Sequence, residues 1–178
     1  MGDDEEMVPV EVVGVRQHLV DDEIVVLLLD PAAELFVPIL IGATEASAIA
    51  TAQAGIVPPR PMTHDLLRNV LATLGVGLER VEITDLTDGV FHAALVLGTG
   101  ARVDSRASDA IALAVRTGSP VLCSAEVVAV AGVEASTKPT EQEVERFRRF
   151  LDRISPEDFE QGEEGDEPPP RGPGRGLP

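Results

Sequence analysis

The 178 residues can form one domain with a hydrophobic core, and 44% apolar with 25% charged residues is typical of a globular protein. A single cysteine excludes an internal disulfide and a thiolate metal cluster. The net charge of −17 argues against the basic surface with which proteins usually bind nucleic acid.

Residues 1–7 form an acidic N-terminal extension that lacks the basic start of a secretory signal. The longest stretch without a charged side chain runs from Ala46 to Pro59, and its 14 residues are fewer than the roughly 18 needed to span a bilayer. We therefore expect a cytoplasmic protein that has no membrane partner.

The first part of the chain is rich in β-branched residues. The pattern predicts strands over residues 8–19, 24–29 and 35–41, then a helix over residues 45–54. Three prolines make residues 56–61 a stiff loop. Thr63 is a candidate N-cap for a second helix over residues 64–74.

The next part alternates between the same two patterns. Strands are predicted at residues 78–86 and 90–97, joined by an Asp-Gly turn, and a short strand at 101–103. A third helix follows at residues 107–117, and residues 121–124 close the sheet. The resulting domain, residues 8–135, is predicted to be an α+β fold with a mixed, mainly antiparallel sheet and three packed helices.

The C-terminal part differs in composition. A helical extension over residues 136–160 contains an amphipathic helix at residues 141–153, and residues 161–178 are a Gly-, Pro- and acid-rich tail with too few apolar side chains to fold. Within the domain, the pattern Ala-Ile-Ala-x-Ala occurs at residues 48–52 and 110–114. Two interpretations stay open: a duplicated β-β-α unit, or chance similarity between Ala-rich buried helices.

Polar residues collect where the predicted helices begin. The Pro-rich loop delivers Arg60 next to His64 and Asp65, which places a phosphate-binding guanidinium near an imidazole and a carboxylate. The competing interpretation is structural, because helix dipoles stabilise acids in a first turn and Asp65 can pair with Arg68. His18 and His92 lie within strand patterns, which indicates a structural role.

A second polar group enters the third helix. Asp104 and Asp109, with Glu45 from the first helix, supply the carboxylate oxygens that Mg²⁺ or Mn²⁺ prefers, and Arg106 could meet a phosphate. A bound cation would also reconcile the acidic charge with a polyanionic substrate. Alternatively, Arg106 and Asp109 form a simple pair three residues apart. Motifs for glycine-rich phosphate loops, Gly-x-Ser-x-Gly elbows and His-Glu-x-x-His zinc sites are absent.

Three segments, in this order, resemble the bifunctional nuclease domain family: FVPILIGATEA at residues 36–46, PRPMTHDLL at 59–67 and DSRASDAIALA at 104–114. The resemblance runs from about residue 8 to residue 135. In the third segment, Ser-Arg-Ala stands where the family commonly has Ala-Arg-Pro, a change that removes no polar group.

The resemblance implies a compact α+β domain that self-associates and degrades RNA and DNA. It does not imply which residues of this chain are catalytic. The hypothesis from the residues is metal-assisted phosphodiester hydrolysis without an organic cofactor. Glu45, Asp104 and Asp109 would hold the ion, and His64 would move a proton. Asp65 would orient His64, while Arg60 and Arg106 would stabilise the charge on phosphorus.

Two other functions stay open. An acidic, oligomeric protein with an amphipathic C-terminal helix suits a non-catalytic binding or regulatory module for a basic partner. A phosphate or nucleotide sensor could use Arg60 and Arg106 without hydrolysis. A catalytic site requires that the polar groups at the starts of helices two and three face one another, and we expect them to do so.

Overall fold

The computed structural model describes residues 6–17 and 23–134. The C-terminal helix and tail predicted beyond residue 135, most of the acidic extension and His18 lie outside these residues. None of the described helices combines the length and the hydrophobicity needed to cross a membrane.

The described residues form eight strands and four helices. The strands are β1 (Met7–Gln17), β2 (Ile24–Asp30), β3 (Leu35–Leu40), β4 (Leu78–Thr87), β5 (Val90–Leu97), β6 (Arg102–Arg106), β7 (Val121–Ser124) and β8 (Val133–Glu134). The helices are α1 (Ala43–Gln53), α2 (Thr63–Thr73), α3 (Ala107–Thr117) and α4 (Ala125–Ala131).

All eight strands belong to one sheet in the order β6-β5-β4-β7-β1-β2-β3-β8. Neighbouring strands are antiparallel except β4 and β7, which run parallel. The prediction of an α+β fold with a mixed, mainly antiparallel sheet is therefore confirmed. Strand β7 does not close the sheet at an edge as predicted, because it lies in the middle between β4 and β1.

Each half of the sheet is a three-stranded antiparallel meander followed by an Ala-rich helix: β1-β2-β3-α1 and β4-β5-β6-α3. Helices α1 and α3 pack against each other; Ala48 and Ile49 are buried in α1, and residues 110–112 are all buried in α3. Small side chains allow this close approach. Three strands precede each of these helices, where the proposed duplication had two, and the duplication itself stays a prediction.

Three local features of the structure differ from the predictions. Strand β6 extends to Arg106, opposite His92 on β5, so Asp104 lies within a strand and not at a helix start. Helix α4 and strand β8 were not predicted, because the sequence AEVVAVA favours a strand by propensity. The burial of Val127 and Val128 against the core stabilises this segment as a helix instead.

Helix α2 lies on the outside of the fold and packs against α3. Met62, and not Thr63 as predicted, is its N-cap residue. No residue of α2 is fully buried, and Leu66, Val70 and Leu74 are exposed along one side. Its role for the site is to place the first turn of α2 against α3.

Candidate active site

The first turns of α1, α2 and α3 meet at one place on the helix side of the sheet. Glu45 is the third residue of α1, His64 the second of α2 and Asp109 the third of α3, while Arg106 is the N-cap residue of α3. Side-chain hydrogen bonds join these four residues, which we call the helix-start cluster. The expectation that the starts of helices two and three face one another is therefore confirmed.

Arg106 is the central residue of the cluster. Its Nε–H donates to Asp109 Oδ2 over 2.6 Å, and its Nη1–H donates to Glu45 Oε1 over 3.1 Å. The guanidinium is held in place by two carboxylates, yet 66% of the side chain is exposed. Arg106 therefore combines a fixed orientation with access for a ligand.

The other oxygen of Asp109 accepts a hydrogen bond from His64 Nε2 over 3.0 Å. Burial by itself raises the pKa of Asp109, but hydrogen bonds from Arg106 and His64 outweigh it, so the pKa lies below its usual value. Because an ionised carboxylate only accepts, Nε2 carries the proton. Nδ1 is then the ring nitrogen that can exchange a proton with a ligand.

Asp65 does not orient His64 as predicted. Its Oδ1 accepts from Arg116 Nε over 2.8 Å, and its Oδ2 accepts from the backbone N–H of Met62 over 3.0 Å. Adjacent residues on a helix point in different directions, so Asp65 and His64 reach opposite ends of α3. Asp109 occupies the orienting position that the sequence analysis assigned to Asp65.

Two further predicted residues lie outside the cluster. Arg60 is exposed in the Pro-rich loop, and Asp104 is exposed on β6. Among residues 6–17 and 23–134, no group of three or more His, Cys, Asp or Glu side chains is arranged to hold a metal ion. Of the three proposed ligands, Glu45 and Asp109 come together, but the positive charge between them belongs to Arg106.

Gly42 permits the observed position of Glu45. A Cβ placed on Gly42 would lie 2.5 Å from Glu45 Oε2, too close for any contact. The backbone of Gly42 has φ −75° and ψ 162°, which any residue can adopt. Glycine at this position therefore allows the Glu45 carboxylate to approach the backbone closely, and a larger residue would displace that carboxylate without straining the backbone.

A cavity of about 490 Å³ opens beside the cluster, and Glu45 and Arg106 are among the residues that line it. The remaining walls come from the end of β3, the turn between β4 and β5, and the first residues of α3. This volume lies in the range of pockets that hold small ligands. The cluster therefore faces a space large enough for part of a substrate.

Two other polar sites of the described region are less suited to catalysis. A second cavity, of about 240 Å³, is lined by Asp65 and Arg116, which pair with each other. Burial and nearby Asp30 raise the pKa of Cys123 to about 12, so this thiol is not a nucleophile at neutral pH. The helix-start cluster is the candidate active site.

Sequence reasoning missed the partner of Asp65 and one residue of the cavity wall. Arg116 is 51 residues from Asp65, and no spacing rule connects them. Phe91 lines the 490 Å³ cavity, and the sequence analysis did not single it out. Gly42 had a visible signal, because it stands three residues before Glu45 in the first of the three motif segments.

Comparisons with known proteins support the family resemblance of the three motif segments. A family model described as the bifunctional nuclease domain matches residues 26–136. The chain is 43% identical to uncharacterized protein Rv1829 of Mycobacterium tuberculosis strain H37Rv, over 84% of this chain and 96% of that protein. It is similar to the same extent to uncharacterized protein MT1877 of strain CDC 1551.

Proposed function

The chain belongs to the bifunctional nuclease domain family, and on that premise we propose that it hydrolyses phosphodiester bonds of RNA and DNA at the helix-start cluster. The observation that carries this proposal is the hydrogen-bonded series Glu45–Arg106–Asp109–His64. It combines a cation for the phosphate with an imidazole whose orientation is fixed by a carboxylate.

Charge balance supports phosphate binding in this acidic protein. With neutral His64, the four side chains sum to −1, which alone would repel a phosphodiester. Three helices of 11 residues begin here, and each N-terminus carries roughly half a positive charge. Gly42, the N-cap residue of α1, has no side chain, and Arg106, the N-cap residue of α3, makes no capping hydrogen bond, so the N-cap residues leave the first-turn N–H groups of these helices uncapped. Uncapped N–H groups of this kind can bind an anion.

The proposed reaction uses water as the nucleophile. The 2′-hydroxyl of RNA cannot be the common nucleophile, because DNA lacks it. Nδ1 of His64 accepts a proton from the water while the water oxygen attacks phosphorus. The bond from phosphorus to the leaving oxygen breaks, and the leaving oxygen receives a proton from the imidazolium. Arg106 stabilises the extra negative charge on the phosphate oxygens, while Asp109 holds the ring with Nε2 protonated.

Digestion of a labelled single-stranded RNA and of supercoiled plasmid DNA tests this function. The purified protein should cleave both, and a His64→Gln protein prepared identically should not. A mock preparation from the same expression host measures contaminating nuclease. Equal cleavage by all three preparations would contradict the proposal.

We expect cleavage to continue in EDTA. This expectation is supported by the Arg106 guanidinium, a cation that already pairs with Glu45 and Asp109, two of the three proposed ligands of Mg²⁺ or Mn²⁺. The measurement is the initial rate with and without chelator. Loss of activity in EDTA and its recovery with Mg²⁺ would show instead that a metal ion completes the site together with the substrate.

Gly42→Ala should weaken cleavage by up to about 10²-fold through displacement of the Glu45 carboxylate, which helps to position Arg106. The substitution should leave the fold intact, because only the end of a flexible side chain must move. Gly77→Ala is the matched control, since a Cβ there meets nothing within 4 Å.

A double variant separates this effect from others. If Gly42→Ala acts only through Glu45, the pair Gly42→Ala/Glu45→Gln should be no less active than Glu45→Gln alone. Additive losses in the double variant would show that Gly42 acts independently of Glu45.

The phosphate or nucleotide sensor makes a different prediction from the same cluster. A sensor binds the labelled single-stranded RNA, loses affinity for it in Arg106→Ala, and releases no cleavage product in any preparation.

Self-association, which the family resemblance implies, also stays a prediction. Sedimentation of the full chain would measure it.

A further inference from the structure

Resting on the proposed function, we propose that the 490 Å³ cavity is a nucleobase subsite and that it makes the protein prefer single-stranded over duplex nucleic acid. The nucleotide next to the scissile phosphate would insert its base into this cavity. The phosphate would lie at Arg106, where the cavity meets the helix-start cluster.

The cavity lining combines charged and apolar side chains. Glu45 and Arg106 are its charged members, and the rest of the wall is mainly aliphatic or aromatic, with Ile39, Val90 and Phe91 among its members. A nucleotide likewise combines a charged phosphate with a flat, largely apolar base. The apolar side chains can therefore contact the base of a nucleotide whose phosphate is held by Arg106.

Exposed apolar side chains mark this cavity as a binding surface. Leu40 and Val90 line it and are more than half exposed to solvent. Such exposure on both sides of one cavity is typical of a ligand site rather than of scattered surface residues. An inserted base would remove these side chains from water.

Phe91 offers a stacking face. The described residues contain two aromatic side chains, Phe36 and Phe91, and Phe91 is the one that lines the cavity. Stacking of a base on an aromatic ring is insensitive to base identity, because every base has a flat face. This property suits the proposed function, in which both RNA and DNA are substrates.

The wall that carries Phe91 is fixed before a ligand arrives. Asp88 (φ 51°) and Gly89 (φ 78°) form the two-residue turn between β4 and β5, where both residues have positive φ. Such turns match the twist of the paired strands and hold them rigidly. A pre-formed wall lowers the ordering cost of binding a base.

The geometry also selects for unpaired bases. A base in a duplex is stacked and hydrogen-bonded, and turning it out costs a few kcal/mol. An unpaired base in a single strand avoids most of this cost. We therefore expect single-stranded DNA or RNA to bind more tightly than the same sequence in a duplex.

The test measures binding and cleavage separately. The full chain carrying His64→Gln, which cannot cleave under the proposed function, is titrated by fluorescence anisotropy with three probes. These are a short labelled DNA strand, its fully abasic counterpart, and the intact strand annealed to its complement. Phe91→Leu removes the aromatic face while it keeps an apolar side chain in the core, and Phe36→Leu is the matched control outside the cavity.

We expect the intact strand to bind about 5- to 150-fold more tightly than the abasic strand, as one stacked base predicts. Phe91→Leu should reduce this ratio, with the abasic Kd unchanged, and Phe36→Leu should not. Equal affinity for intact and abasic strands, tighter binding of the duplex, or binding of neither strand would overturn the subsite.

Cleavage by the otherwise wild-type chain tells the two proposals apart. If the base-dependent affinity is present but no strand is cut, the proposed hydrolysis fails and the subsite stands. If both strands are cut and bound equally, hydrolysis stands and the subsite fails.

Discussion

Replacing His64 with alanine should lower the rate of phosphodiester cleavage by about 10²- to 10⁴-fold, the usual contribution of a positioned proton-transfer group. His64 is held by one hydrogen bond to Asp109, and its side chain is 14% exposed at the edge of the candidate site. Rates on a labelled single strand, measured under single-turnover conditions, would report the loss in the chemical step.

Two companion variants make this result specific. Asp109→Asn keeps the shape of the site but cannot hold the Nε2-protonated ring as a carboxylate does, so it should also lose most of the activity. Asn69→Ala, on the exposed side of the same helix, should retain the wild-type rate. A His64→Ala protein with undiminished activity would remove this residue from the mechanism.

Of the proposed variants, the one that breaks the pair between Asp65 and Arg116 should lose the most stability. The two side chains are 13% and 4% exposed, and they join α2 to α3. Removing one partner of a buried pair leaves the other charge uncompensated, at a cost of about 3–5 kcal/mol. We expect this loss in the free energy of unfolding of Arg116→Met, measured by urea denaturation at neutral pH.

The acid dependence of stability provides a second readout. Burial raises the pKa of Asp65, but hydrogen bonds from Arg116 and the Met62 N–H outweigh it, so the pKa is lowered from 3.8. A carboxyl whose pKa is lower in the folded than in the unfolded protein stabilises the fold at pH values above its unfolded-state pKa. This stabilisation is lost as the pH falls through its folded-state pKa. Arg116→Met removes the hydrogen bond and the charge of Arg116 but keeps the Met62 N–H and Arg68, so the pKa of Asp65 should be higher in the variant than in the wild type. The stability deficit of Arg116→Met should therefore shrink as the pH falls below about 4, where Asp65 becomes protonated in the variant.

Control variants locate the effect in the pair. The double variant Asp65→Leu/Arg116→Met should recover much of the lost stability, because no buried charge is left unpaired. Arg16→Ala removes an exposed arginine on β1 and should change the unfolding free energy by less than about 0.5 kcal/mol. A loss in Arg116→Met similar to that of Arg16→Ala would show that the pair contributes little.

The acidic charge acquires a different meaning in the folded protein. By composition alone it argued against nucleic-acid binding, and a metal ion at Glu45, Asp104 and Asp109 was the hypothesis that reconciled the two. In the structure, Arg106 lies between Glu45 and Asp109, and three helix N-termini add positive potential at the same place. Local geometry can therefore favour a phosphate on a protein whose total charge opposes it.

Local patterns determined most of the elements. Alternating β-branched residues, the Asp88-Gly89 turn and the glycines after the Ala-rich helices predicted seven strands and three helices of the described region, because each is a short-range preference of the backbone. The sequence also placed the polar residues at helix starts. It could not show that Ala125–Ala131 is helical, since the burial of Val127 and Val128 overrides strand propensity there.

Only the tertiary structure decided which polar residues act together. His64 and Asp109 are 45 residues apart and Glu45 and Arg106 are 61 apart, so no periodicity connects them. Adjacent Asp65 and His64 looked like a pair, but the 100° rotation between neighbouring helix positions directs Asp65 to Arg116. The packing of α1 and α2 against α3 determines these partners, and packing depends on the whole chain.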